Sequence, residues 1–153
     1  MQSRSNRSIG VAIAGLGFGE IVHLKALEAV QELKPVALWH PRADRLNQAT
    51  ATTGLKGFQD WDGLLADPAV EAIVIATPPE PRVDLARRAL EAGKHLLLEK
   101  PVGLCAEQVA DLQRLAMAQR LSVAVDFEYR AVPLFMQAAR LLAQGAIGTP
   151  WLV

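Results

Sequence analysis

Glu99-Lys100-Pro101 places a lysine between a carboxylate and a proline, directly after the apolar run His95-Leu96-Leu97-Leu98. A lysine held at such a strand end could donate a proton to a carbonyl or alkoxide, provided partial burial or a cationic neighbour lowers its pKa. Pro101 has no N–H and fixes the turn, and a Lys-Pro bond is open to the cis form. From spacing alone, an exposed turn lysine is an equal reading. Gly15-Leu16-Gly17-Phe18-Gly19 carries a different chemistry. It follows the apolar run Ile9–Ala14 and precedes a helical pattern that starts at Glu20, with Ile21, Leu24, Ala26, Leu27 and Val30 near a 3.6 period. In that context the first glycine permits a tight turn, the second lets backbone approach a pyrophosphate, and the helix N-terminus offers free N–H groups to the anion. The third glycine of G-x-G-x-x-G is replaced by Glu20, so Gly19 takes part of its packing role or the helix stands farther off. The plain alternative is a turn that needs positive φ.

A dinucleotide fold often places an acidic residue roughly 20 positions past the glycines to bond the ribose 2′-hydroxyl. This chain has His40-Pro41-Arg42 there, and its first carboxylate is Asp44. Arg42 with His40 suits a 2′-phosphate better, because guanidinium forks onto phosphate oxygens. The expected cofactor is therefore NADP, with NAD as second choice; otherwise Arg42 is a solvated first-turn residue and His40 a cap. Thr77, before Pro78-Pro79, could bond a cofactor phosphate or ribose, or simply serve the turn. Asp126 and Arg130 could pair with each other or face a substrate, and His23 could approach the cofactor or be satisfied locally. His95, Trp39 and Trp61 read as structural, Glu107 and Asp111 as a solvated helix face, and Cys105 as inert.

The elements that would position these groups alternate. Strands are expected at 9–14, 35–39, 69–76, 95–98 and 122–125, with a very short edge strand at Gly57-Phe58. Helices are expected from Glu20, over 43–53 with Gly54 as C-cap, as a turn capped by Asp60 or Asp62, and over 82–92, 106–120 and 133–144. Trp151-Leu152-Val153 reads as the opening of another strand. The pattern predicts an α/β fold: a doubly wound parallel sheet in three αβα layers, with the loops that carry chemistry converging at the carboxyl ends of the strands.

Composition narrows the function classes. The chain has 153 residues, 51% hydrophobic and 21% charged, with zero formal net charge. That argues against a nucleic-acid footprint or an anionic-membrane surface. A single cysteine allows no internal disulfide and no cysteine metal cluster, and no metal is implied, so a reducing, cytoplasmic setting is expected. No apolar run reaches transmembrane length. The polar leader Met1–Ser8 lacks an apolar core and reads as a disordered tail.

Taken together, Gly-Leu-Gly-Phe-Gly-x-x-x-His at 15–23, Ala-Thr-Pro-Pro at 76–79, Ala-Gly-Lys-His at 92–95, Glu-Lys-Pro at 99–101 and Asp-Phe-Glu-Tyr-Arg at 126–130 resemble the glucose–fructose oxidoreductase / inositol dehydrogenase / rhizopine-catabolism family. The resemblance implies a Rossmann domain binding NAD or NADP, with Lys100 as the catalytic lysine. It also implies cofactor contact by Gly15, Phe18, Gly19, Thr77, Glu99 and Lys100; Gly17, Glu20, His40, Arg42 and Pro78 join the candidate cofactor site from their place in the pattern. Departures are Arg82 where many members carry a histidine, Glu20 in the glycine motif, and Asp126 where an asparagine is common. Family members continue into a second α/β domain that supplies most substrate contacts and usually the oligomer interface. The expectation is thus a tail at 1–8, a Rossmann domain at 9–150, and 151–153 as the start of a missing or truncated second domain, in a fragment or a naturally short protein. The expected function is hydride transfer between nicotinamide and a sugar, polyol or similar compound, with the small-molecule substrate bound only with a second domain; a homodimer is possible. The alternative is a non-catalytic dinucleotide-binding sensor or partner protein.

Overall fold

The apolar run Ile9–Ala14 forms β1 at the centre of a six-stranded sheet. The computed structural model describes residues 7–151. Beside β1 lie β2 (Leu33–Trp39) and β3 (Lys56–Phe58) on one side, and β4 (Ala72–Ile75), β5 (His95–Glu99) and β6 (Val123–Asp126) on the other. The strand order is β3-β2-β1-β4-β5-β6, and every pairing is parallel. The chain reverses its direction of travel across the sheet between β1 and β4, which is where such folds open a crevice. Register keeps the carboxyl ends level: Ala14 pairs with Trp39 and with Ile75, Ile75 with Leu98, and Glu99 with Asp126. The one irregularity, between Val11 and Ala12, falls opposite Pro35, which has no N–H to give the ladder.

A π-helical turn at Gly19–His23 runs into α1 (Leu24–Glu28); then follow α2 (Ala43–Thr53), α3 (Trp61–Ala66), α4 (Pro79–Glu91), α5 (Ala106–Gln119) and α6 (Pro133–Ala143). Strand alternation splits the core into two layers. Ala12 and Ala14 face one way, against Trp61 and Leu64 of α3, Ala86 and Leu90 of α4, and Leu112 of α5. Val11 and Ile13 face the other, against Leu24 and Leu27 of α1 and Leu46 of α2. The doubly wound, three-layer architecture is therefore present. Among the described residues no helix is long and apolar enough to cross a membrane.

Several boundaries differ from the sequence reading. The first helix was expected to bury Ile21 and Val30, yet Ile21 is 66% exposed and Val30 40%. The π-helical turn adds a residue to that turn and rotates the face, so that Gly19, His23, Leu24 and Leu27 are buried instead. α4 starts at Pro79 rather than residue 82, because a proline in the first helical turn loses nothing by lacking an N–H. The 69–76 strand shortens to Ala72–Ile75: Val70 donates back to the Asp67 carbonyl in a turn before the ladder begins. Gly54 takes the left-handed conformation expected of a C-cap, and the Asp60 carboxylate accepts from Gly63 N at 2.8 Å. Trp39 and Trp61 pack edge to face with centroids 5.0 Å apart, and His95 Nδ1 accepts from Ser122 N. Of the expected tail, residues 1–6 lie outside the described residues, whereas Arg7 pairs with Glu71 at 2.6 Å. Trp151 is 90% exposed and not in a strand, and residues 152–153 also lie outside the described residues.

Candidate functional site

At the carboxyl end of β1, Gly15 adopts φ +98°, and a Cβ there would lie 2.7 Å from the carbonyl of Ala76. The loop after β1 thus lies directly on the end of β4. A Cβ at Gly19 would meet Ile13 Cγ2 at 2.8 Å, so Gly19 supplies the close helix–strand approach that Glu20 could not. Glu20 sits on the π-helical turn, outside the cleft lining. Gly17 has nothing within 4 Å of its would-be Cβ and faces open space at the cleft. Arg45 of α2 donates to the Leu16 carbonyl at 3.1 Å and braces the loop from the side.

The cleft itself holds about 690 Å³. Gly15, Gly17 and Phe18 form one wall; Trp39 and His40 close the β2 side. Thr77, Pro78, Arg82, Glu99 and Lys100 line the β4–β5 side. The hydroxyl of Thr77 is buried with no partner among the described residues, which leaves a donor and acceptor for a ligand at the cleft wall. The open space at Gly17 and the orphaned hydroxyl at Thr77 together fit a group with a polar backbone such as a pyrophosphate.

Arg82 is 3% exposed, on α4. It donates to the carbonyls of Thr77, Glu99 and Pro101, and so ties the loops after β4 and β5 together. Burial pushes its guanidinium pKa down, and the nearby Glu99 carboxylate partly restores it. Lys100 follows on a cis Lys100–Pro101 bond, with its ammonium half exposed and 3.5 Å from Glu128 Oε1. Lys100 also lines a second groove of about 860 Å³, with Leu104, Val125, Phe127 and Tyr129 on its walls.

Arg42 is placed differently from its neighbours. His40 reaches the cleft, its Nδ1 accepting from Arg42 N at 3.1 Å, but Arg42 itself does not line it. Its exposed guanidinium lies 2.5 Å from Asp44, which raises the Arg42 pKa and lowers that of Asp44. Asp126 faces His23 at 3.8 Å, and no ion pair joins it to Arg130 among the described residues. His23 is buried with Nε2 at 2.9 Å from Glu99 Oε1. His23, Glu99 and Asp126 bring ligand-capable atoms within 4.8 Å of one another, but the imidazole nitrogen is already committed to Glu99.

Of the residues expected at a cofactor, Gly15, Gly17, Phe18, His40, Thr77, Pro78, Glu99 and Lys100 line the cleft, and Gly19, Glu20 and Arg42 do not. Sequence reasoning missed the brace from Arg45 and the latch made by Arg82. The local sequence does not mark that latch; it shows in the structure, where Arg82 is buried one turn into α4 beside Val83, Leu85 and Ala86.

Residues 9–127 match the family model described as an oxidoreductase family with an NAD-binding Rossmann fold. An uncharacterised oxidoreductase of Synechocystis is 37% identical over 92% of this chain and 38% of its own length. The inositol 2-dehydrogenase of Rhizobium meliloti is 33% identical over 87% of this chain and 41% of its own. Among solved structures, a 3-ketoreductase from Actinomadura kijaniata in complex with TDP-benzene and NADP superposes with TM-score 0.87 at 29% identity, covering 94% of this chain and 44% of that one. A scyllo-inositol dehydrogenase from Lactobacillus casei with bound NAD(H) and scyllo-inositol gives TM-score 0.84 at 28% identity, covering 93% and 43%. The chain spans about two fifths of the length of the curated relatives it matches.

Proposed function

Because the chain belongs to the oxidoreductase family with an NAD-binding Rossmann fold, we propose that it is the cofactor half of a dehydrogenase or reductase acting on a sugar, polyol or related carbonyl compound. The observation that carries this reading is the position of Lys100, which lines both the glycine-loop cleft and the second groove. A group there can reach a cofactor on one side and a substrate on the other. When bound, the nicotinamide dinucleotide supplies or takes up the hydride. The chain's own part is binding and proton handling. Free N–H groups at the start of the Gly19–His23 turn, next to the open face of Gly17, hold a pyrophosphate. The Thr77 hydroxyl bonds the cofactor's polar backbone. Lys100 Nζ gives a proton to the substrate oxygen in reduction and holds it in oxidation. The relatives named as inositol dehydrogenases and as a 3-ketoreductase support a hydroxyl/carbonyl substrate class.

The cofactor is read as NADP. The Arg42–Asp44 pair is exposed and screened by solvent, so Arg42 can turn from Asp44 to a 2′-phosphate at small cost. The same pair supports a second reading: if Arg42 stays on Asp44, the site favours NAD. A fluorescence titration of the purified chain with NADPH and with NADH separates them. Tighter NADPH is expected, and tighter NADH would overturn the 2′-phosphate role of Arg42. Lys100→Ala should keep NADPH affinity within about threefold, because the lysine side chain is half exposed and, among the described residues, its ion pair is with Glu128 at 3.5 Å. In an enzyme that contains this domain the same change should abolish turnover; normal turnover would remove Lys100 from the mechanism.

A further inference from the structure

Five side chains meet around the Glu99 carboxylate, next to Lys100. His23 closes the π-helical turn and is 5% exposed; Glu99 ends β5 and is 7% exposed. Nε2 of His23 lies 2.9 Å from Glu99 Oε1 and 3.8 Å from Asp126 Oδ2 at the end of β6. The other Glu99 oxygen, Oε2, accepts the backbone N–H of Lys100 at 3.1 Å. Phe18 packs edge-on against the imidazole, with centroids 5.3 Å apart, and Arg82 of α4 adds its charge near Glu99.

The sheet does not need this arrangement: β5 and β6 already pair through Leu98 with Val125 and Glu99 with Asp126. What the contacts fix is the Glu99 carboxylate. A buried carboxylate seeks as many donors as it can reach. With His23 on one oxygen and Arg82 close by, its second oxygen is aimed at the Lys100 N–H. We propose that His23 is a positioning residue for Lys100, acting through Glu99, with Asp126 steering the imidazole. The lysine side chain has little else to aim it, being half exposed and 3.5 Å from Glu128. A misplacement of about 1 Å is enough to cost a reacting group most of its advantage. The value of that aim rests on the role proposed above for Lys100; the ordering of the turn by His23 does not.

Amide hydrogen exchange read by NMR on the 153-residue chain tests this. In His23→Leu, which keeps the volume and removes the ring nitrogen, exchange at the Lys100 amide should accelerate about tenfold, as one charge-assisted hydrogen bond is released. Amides of Ile13 and Val74 in the central strands should stay as in the parent. His23→Gln, whose amide N–H can still reach toward Glu99, should restore part of the protection. If His23→Leu fails to fold, His23→Met, whose adaptable side chain likewise offers Glu99 no donor, gives the same local readout. Unchanged exchange at Lys100 would overturn the proposal. Acceleration spread evenly through the strands would also do so, by making His23 a packing residue. One zinc per chain that survives dialysis and is lost in His23→Leu would overturn it too, by turning the triad into a metal site. An NADPH titration of the same samples keeps the two ideas apart: a parent chain that does not bind NADPH sinks the proposed function and leaves the turn's ordering standing.

Discussion

An alanine at Gly15 would carry its Cβ to 2.7 Å from the Ala76 carbonyl, at a φ of +98°. Neither the backbone of β4 nor the start of the glycine loop can yield without parting the two strands, so Gly15→Ala should cost more than about 2 kcal/mol. Gly17→Ala meets nothing within 4 Å in the folded chain. Its stability should match the parent within about 0.5 kcal/mol, as expected of a surface change that breaks no packing. Its NADPH affinity should nonetheless fall at least about tenfold, because the new methyl group occupies the approach to the loop backbone. Urea unfolding and the fluorescence titration, run on both variants, check this; a Gly17→Ala chain that binds NADPH as well as the parent would show that the loop is not the pyrophosphate seat. At this scale the sequence was informative wherever one residue type has one physical use. Glycine at a strand end, threonine before two prolines and lysine before proline all landed on the cleft. Arg42 did not, because Asp44 two residues on captures its guanidinium, and a spacing rule cannot weigh that local competitor.

Arg82 belongs to the scale of elements. Its guanidinium joins the N-terminal turn of α4 to the ends of β4 and β5 through carbonyls 5, 17 and 19 residues away. Arg82→Met would keep much of the side-chain volume and leave three carbonyls without their donor. The expected loss is about 3 kcal/mol by urea unfolding, together with weaker NADPH binding as the two loops part. Arg82→Lys should recover only part of this, since a single ammonium cannot reproduce the fork that serves several acceptors. A methionine variant as stable as the parent would mean the latch is dispensable. The elements themselves were legible from strand-length apolar runs and from helix periodicity, and most strand and helix bounds fall within a few residues of those expected. What escaped was the phase of the first helix. One π-helical turn is invisible in a hydrophobic pattern, yet it decides that His23 rather than Ile21 is buried. The latch escaped for a related reason: its acceptors are backbone carbonyls, and any residue type supplies those.

Across the whole molecule the two edges of the sheet do different work. The carboxyl edge holds the clefts, the buried arginine and the unpartnered hydroxyl. The amino edge is tied by carboxylates. Asp67 accepts from Lys56 Nζ at 2.8 Å and from Ala69 N at 2.9 Å, joining the start of β3 to the approach to β4. Glu71 accepts from Gly10 N at 3.2 Å and from Arg7 at 2.6 Å, joining the start of β4 to that of β1. Both carboxyls are held below the usual carboxylate range, Asp67 chiefly by the Lys56 side chain and Glu71 chiefly by the Gly10 N–H. A carboxyl whose pKa is lower folded than unfolded binds fewer protons in the folded state, so stability rises with pH across its range. The contribution of these two groups is complete above the ordinary carboxylate pKa of about 4, and is lost as pH falls through their lowered folded values. The urea midpoint should therefore be level from about pH 6 to 5 and fall steadily below about pH 4. Asp67→Asn and Glu71→Gln should each lower the midpoint at pH 6 and flatten the acid slope, since an amide cannot lose the charge that the slope reports. NADPH affinity at pH 6 should be unaltered in both, because these ties lie at the opposite end of the strands from the cleft. An acid slope unchanged in both variants would place the acid-sensitive groups elsewhere. A loss of NADPH binding in either would show that the amino edge sets the geometry of the carboxyl edge, and the division of labour between the two would fall with it.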